Sequence, residues 1–217
     1  MFVPYSVKSG CENMQIDSDI LEDCIKNKLT EPVFRLYGWK PACISLGRNQ
    51  KDDFLDKTLL NEYKIDVVRR LTGGRALLHD NEITYSYVCP LSFLKNGENV
   101  IESYKEISQI LINGFYELGI KLEFGGEKIS RGHVDYCMLV STGADLCFEN
   151  KKLIGSAQFR KNGYILQHGS ILYDYNKDLL EKIFKEKVDN SHVTTISEIN
   201  SKITKNDIIS VFENLCK

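Results

Sequence analysis

Two segments of this chain combine residue types suited to acyl chemistry beside a polar carrier. The first runs Arg69-Arg70-Leu71-Thr72-Gly73-Gly74-Arg75-Ala76-Leu77-Leu78-His79-Asp80. The second runs Lys152-Leu153-Ile154-Gly155-Ser156-Ala157-Gln158. Glycines admit close approach of a ligand to backbone amides, because no Cβ intervenes. Arginines around Gly73 and Gly74 favour an anionic or strongly polar partner. In the second segment Lys152 precedes a bend of small residues at the end of a hairpin. The two segments read as facing walls of one site. Arg70, Gly73, Gly74, Arg75, Gly155, Ser156 and Ala157 are its candidate binding residues. His79 is expected to pack in the site wall. His168, before Gly169, reads equally as a wall residue or a structural one.

Composition narrows the classes. The 217 residues fit one domain, 1–217, with 42% apolar content and a net charge of −2, so neither nucleic acid nor a membrane is called for. The seven cysteines, at 11, 24, 43, 89, 137, 147 and 216, are odd in number and form no CxxC. That argues against a disulfide framework and a zinc site and places the chain in a reducing cytoplasm. The four histidines, at 79, 133, 168 and 192, are too scattered for a metal-ligand run. Residues 1–6 lack a basic region followed by an apolar one, so no signal peptide is expected. Cys24, Cys43, Cys147 and Cys216 read as small buried hydrophobes.

The elements that must position the site follow from periodicity. Residues 12–29 read as a helix with Ile20, Leu21, Cys24 and Ile25 on one face. Asp17 lies on that face one turn earlier, either as an acid favoured by the helix dipole or as an acid beneath a site. Strands are expected at 33–37, 42–46, 65–70, 83–88 and 164–173, with a hairpin of 145–148 and 152–159. Further helices are expected at 57–63, 101–118, 178–184 and 206–216. Arg69 and Arg70 alternate in their strand, so one faces solvent. Residues 125–143 show no clean period and read as a functional or disordered loop. Strands in the middle and helices around them without strict alternation suggest an α+β fold with a mixed or antiparallel central sheet.

These motifs together resemble the lipoate-protein ligase and octanoyltransferase superfamily. The likeness rests on 69–80 with Glu82-Ile83-Thr84-Tyr85-Ser86, on Gly47-Arg48-Asn49-Gln50, and on Lys152 with Gly155-Ser156-Ala157-Gln158. Leu166-Gln167-His168-Gly169-Ser170-Ile171-Leu172 and Asn13-Met14-Gln15-Ile16-Asp17 extend it over nearly the whole chain. The resemblance implies the catalytic-domain fold shared with biotin-protein ligases, without the C-terminal accessory domain of the longer ligases. Arg75 stands where ligases usually carry a third glycine, and Glu82 to Tyr85 look like the LipM-type octanoyltransferases. Gly47 to Gln50 look somewhat ligase-like.

A LipM-type enzyme implies a cysteine nucleophile in the loop before the hairpin, and Cys137 stands at that spacing from Gly155; Cys147 is the alternative. A thiolate exchanges one thioester for another without ATP. Lys152 is the candidate cation that holds the thiolate and helps the acceptor amine lose its proton. Backbone amides at Gly73-Gly74 or Gly155-Ser156 are candidate oxyanion donors. The implied donor is octanoyl-acyl carrier protein, and the acceptor is a lysine of a lipoyl domain or of the glycine-cleavage H protein. Both partners are acidic, which places Arg70, Arg75 and Lys152 near the mouth. Leu77, Ile83 and Tyr85 are expected to line the octanoyl tunnel. No cofactor or metal is implied on this reading. The alternative, an ATP-dependent lipoate-protein ligase, implies ATP and Mg²⁺. A non-catalytic module that holds a lipoyl domain or acyl carrier is the rival from another class.

Overall fold

The computed structural model describes residues 1–126, 145–185 and 190–216. Cys137, like His133, lies outside them. The elements run β1 (Phe2–Lys8), α1 (Gly10–Asn27), β2 (Val33–Trp39), β3 (Cys43–Leu46), α2 (Lys57–Glu62), β4 (Asp66–Arg69), β5 (Leu77–His79) and β6 (Glu82–Pro90). Then come α3 (Val100–Glu117), β7 (Glu123–Phe124), β8 (Leu146–Phe148), β9 (Lys151–Lys161), β10 (Tyr164–Leu172), α4 (Lys177–Phe184), α5 (Ile196–Ile199) and α6 (Lys205–Leu215). The α+β expectation holds. Among the described residues no helix is long and apolar enough to cross a membrane.

Among the described residues two sheets form instead of one. A seven-stranded sheet has the order β1-β2-β6-β10-β9-β8-β7, and a three-stranded one the order β4-β3-β5. The large sheet is antiparallel except where β1 joins β2, and the small one pairs β3 parallel to β4 and antiparallel to β5. The strands expected at 33–37 and 42–46 form, but in different sheets. Strands β1, β5 and β7 carry no sequence expectation. Strand β5 is only three residues long, too short to show a period against the glycine turn before it.

Helix α1 starts earlier than expected because Ser9 caps it. The Ser9 hydroxyl accepts from the Glu12 amide while the Glu12 carboxylate accepts from the Ser9 amide. Its buried stripe is Asn13, Asp17, Leu21 and Cys24. The C-terminal half packs with Val33, Val88 and Leu166, whereas the N-terminal half is polar. That polar half lies over the large sheet, where Asp17 meets Arg35 and His168. Helices α3 and α6 cover the opposite face through Ile107, Leu111, Phe115 and Phe212.

Antiparallel register aligns two rows of residues across the large sheet. One row is Arg35, Ser86, His168 and Ala157; its neighbour is Tyr37, Thr84, Ser170 and Gly155. Residues two apart share a face, so both rows point towards α1. The next row, Leu36, Tyr85, Gly169 and Ser156, belongs to the other face.

Candidate active site

A cavity opens between the α1 face of the large sheet, the small sheet and α1. It encloses about 480 Å³ of space free of atoms, open solvent at the mouth included. Strands β2, β6, β10 and β9 supply one wall, β3 and β5 the other. Of the expected site residues, Arg70, Gly74, His79, Gly155, Ser156, Ala157 and His168 line it. Gly73 and Arg75 flank Gly74 in the same turn.

Of the three expected tunnel residues only Leu77 lines the cavity. Ile83 and Tyr85 lie in the core that α3 and α6 cover. The alternation of β6 left both faces open to the expectation, and the register with β2 and β10 puts Thr84 on the cavity side.

Arg70 is not at the mouth. It is only 7% exposed. Its guanidinium donates to Ser45 O (2.8 Å), Gly73 O (2.9 Å) and Arg75 O (2.7 Å), and Nε donates to Thr72 Oγ1 (3.1 Å). A tight turn leaves carbonyls that need donors, and Arg70 supplies them. Arg69 is the exposed one of the pair, as alternation requires. It donates to Gly47 O and Gln50 O at 2.8 and 2.6 Å.

Lys152 is also buried, at 2% exposure, with Nζ 3.0 Å from Asp145 Oδ2. The chain forces this placement through a bulge. Leu146 pairs with Ile154, but Cys147 pairs with Lys152. Consecutive residues of β8 point to opposite faces, so Lys152 is turned away from the face of Ile154. By alternation it shares the sheet face of Gly155 and Ala157, but it is not among the residues that line the cavity. Cys147 is buried opposite it. Cys24 and Cys43 are buried as expected, and Cys216, the C-cap of α6, is only partly so. Burial raises the Cys43 thiol far above its ordinary range.

The cavity wall carries polar groups that bond to one another. Thr72 Oγ1 meets His168 Nε2 at 2.7 Å, and His168 Nδ1 meets Asp17 Oδ2 at 3.3 Å. Asp17 also accepts from Arg35 (2.8 Å) and Tyr37 OH (2.8 Å). Burial pushes the Asp17 carboxyl up, but the hydrogen bond and charge of His168, then Arg35 and Tyr37, hold it below its usual value. Across the cavity Arg70 donates to Ser45 Oγ (3.2 Å), which meets His79 Nε2 at 2.8 Å. His79 Nδ1 lies 3.4 Å from Glu82 Oε1. Burial lowers the His79 pKa, against the opposing pull of Glu82, so the ring is neutral at pH 7.

The Glu82 carboxylate also accepts from Thr84 Oγ1 (2.8 Å) and Ser170 Oγ (2.5 Å). Trp39 Nε1 donates to Thr84 Oγ1 at 2.8 Å, and its ring stacks on His79 at 3.9 Å. The hydroxyls, imidazoles and indole thus spend their polar atoms within the wall. What faces the lumen is largely carbon, a surface suited to an alkyl chain.

Sequence reasoning missed Trp39, Ser45, Thr72, Thr84, Ser170 and Asp145. Thr72 and Ser170 sit beside residues already singled out, so adjacency was an available signal. Ser45 lies in an expected strand, whereas Trp39 falls in the segment expected to join two strands and instead ends β2. Glu82 was noted only as part of a motif.

A family model described as the lipoyl protein ligase A/B catalytic domain matches residues 9–216. The chain is 40% identical over 182 residues to octanoyltransferase LipM of Clostridioides difficile (strain 630), spanning 82% of this chain and 67% of that protein. It is 36% identical over 233 residues to octanoyltransferase LipM of Staphylococcus epidermidis, spanning 98% and 83%. A crystal structure of lipoate-protein ligase A bound with ATP is similar in fold, with a TM-score of 0.76 at 18% identity, over 97% of this chain and 81% of that one.

Proposed function

Because this chain belongs to the lipoyl protein ligase A/B catalytic domain family, we propose that it is an octanoyltransferase that modifies lipoyl domains in lipoate biosynthesis. The observation that carries this reading is its 36–40% identity to octanoyltransferases over at least 82% of its length. The carbon-lined cavity supports it, as does Arg75 at the position where an adenylate-binding turn would favour a third glycine. The donor is octanoyl-acyl carrier protein, and the acceptor lysine belongs to a lipoyl domain or to the glycine-cleavage H protein.

Cys137 is the nucleophile of this scheme. Its thiolate adds to the donor carbonyl, the tetrahedral intermediate collapses, and the carrier thiol leaves and takes up a proton. The acceptor lysine, as the neutral amine, then adds to the acyl-cysteine. An amide forms, the amine gives up its second proton, and the Cys137 thiolate is released. Lys152, held by Asp145, supplies a fixed positive charge to the thiolate and to the acyl oxygen as negative charge develops there. The two thioesters are nearly equal in energy, so the first step needs no nucleotide.

The test is intact and peptide-level mass spectrometry of the chain mixed with octanoyl carrier protein, with ATP absent and Mg²⁺ chelated. An octanoyl adduct on Cys137, passed to an added lipoyl domain, is the expected result. An adduct on Cys147 would reassign the nucleophile. Lipoylation from free lipoate and ATP, undiminished in Cys137→Ala, would establish a ligase instead.

A further inference from the structure

Resting on the octanoyltransferase reading, we propose that Asp17 and Glu82 are positioning residues for acyl transfer. Each ends a hydroxyl–imidazole arm, and the two arms meet on Arg70 and fix the Gly73-Gly74 turn beside the acyl carbonyl. One arm runs Arg70, Thr72, His168, Asp17; the other runs Arg70, Ser45, His79, Glu82. The order of groups is the same in both: guanidinium, hydroxyl, imidazole, carboxylate. All seven residues are buried.

The chemistry of the groups sets the direction of the protons. A guanidinium only donates and an ionised carboxylate only accepts. The carboxylate therefore draws the Nδ1 proton of its imidazole. At His79, where burial keeps the ring neutral, Nε2 is then an acceptor and takes the Ser45 hydroxyl proton. The hydroxyl oxygen is left to accept from Arg70. Each donor thus has one acceptor, and Arg70 is held from two sides. An amide in place of the carboxylate can donate to Nδ1, which lets the tautomer invert. Nε2–H would then compete with Arg70 for the same hydroxyl.

The arms reach Arg70 from different elements. Asp17 is on α1, His168 on β10, Ser45 on β3, His79 on β5 and Glu82 on β6. The guanidinium is thereby referenced to both sheets and to α1. Its other nitrogen clamps Gly73 O and Arg75 O. Gly74 lines the cavity, and the Gly73 and Gly74 amides donate to no group among the described residues. Donors fixed before the reaction stabilise developing charge best, since nothing must reorganise. Packing the same volume with apolar side chains would avoid the desolvation of two buried carboxylates, so the gain of the network is geometric.

The experiment measures kcat and KM for an octanoyl-pantetheine thioester, together with the thermal midpoint, on the full chain. Variants are Glu82→Gln and Asp17→Asn, with Thr72→Val testing the Asp17 arm if Asp17→Asn strands Arg35 and fails to fold. The expected result is a kcat lowered about tenfold with KM within about twofold of wild type. In an Arg70→Lys background, Glu82→Gln should then change kcat less than about twofold, because both act through one group. An unchanged kcat with a lower melting point would overturn the proposal in favour of a structural network. A raised KM with intact kcat would reduce the arms to cavity wall. A full tenfold effect in the Arg70→Lys background would sever the link to Arg70. A wild-type chain that transfers no octanoyl at all overturns the octanoyltransferase reading and this proposal with it.

Discussion

Lys152 and Asp145 cannot be judged one at a time. Both are buried and 3.0 Å apart. Removing only the lysine leaves a carboxylate without its compensating charge, at a cost of about 3–5 kcal/mol. A loss of activity in Lys152→Met alone would therefore be ambiguous. The pair Lys152→Met with Asp145→Asn removes both charges and should recover most of the melting temperature lost in the single variant. Transfer should stay at least about a hundredfold below wild type, because the acyl oxygen and thiolate still lack their cation. Thermal melts and turnover on the three proteins check this. A double variant that regains turnover would take Lys152 out of the chemistry. The type and position of Lys152 were legible in the sequence. Its burial and its partner were not, because the bulge that re-aims it depends on pairing with β8.

At the scale of elements, the site depends on two turns that touch. The loop after β3 and the loop after β4 are joined by Arg48 N–H to Thr72 O at 2.9 Å and by the Arg69 guanidinium on Gly47 O. A Cβ on Gly47 would sit 1.9 Å from Gly74 O, whereas one on Gly73 would meet nothing within 4 Å. Gly47→Ala must push the two turns apart, costing about 1–3 kcal/mol. It should lower transfer about tenfold through the displaced Gly74. Gly73→Ala, one position from the cavity lining, should cost far less stability. Urea midpoints and kcat on both variants decide the matter, and equal stability loss in the two would count against this packing. Sequence reasoning saw Gly73 and Gly74 as paired and ranked them alike. The tertiary structure tells them apart: Gly74 lines the cavity, has φ +96° and presents its carbonyl to Gly47.

Over the whole molecule, the buried ring of ionisable groups sets the acid limb of stability. The His79 pKa is below its ordinary 6.5 in the folded chain because burial disfavours the cation. Below pH 6.5 the unfolded chain binds a proton that the native state refuses. Stability is therefore lost as pH falls from 6.5 towards the folded value. Asp17 acts lower. Burial opposes ionisation, but His168 and Arg35 hold its pKa below 3.8. Its contribution is present above 3.8 and lost as pH falls through the folded value. Denaturation midpoints from pH 7.5 to 3 should show a first decline starting near 6.5, made shallower in His79→Gln, and a second below 3.8 that this substitution leaves in place. A first decline unchanged in His79→Gln would assign it to other groups.

Local chemistry carried much of the reading. The glycine turn, the strand periods, the stripe of α3 and the family motifs are encoded within short windows, so the sequence alone determined the fold class and most of the cavity-lining residues. It also flagged Asp17 as an acid on the face of a helix, while leaving its purpose open. The tertiary structure decided what those windows cannot hold. The faces of Thr84 and Tyr85 follow from register with β2 and β10. The charge of Arg70 is committed to carbonyls of its own turn. The two hydroxyl–imidazole–carboxylate arms join residues as far apart in sequence as Asp17 and His168. The physical reason is that alternation gives two faces without saying which is buried, and hydrogen bonds between distant segments leave no period. Only the packed sheets, with α1 laid across them, bring those groups within bonding distance.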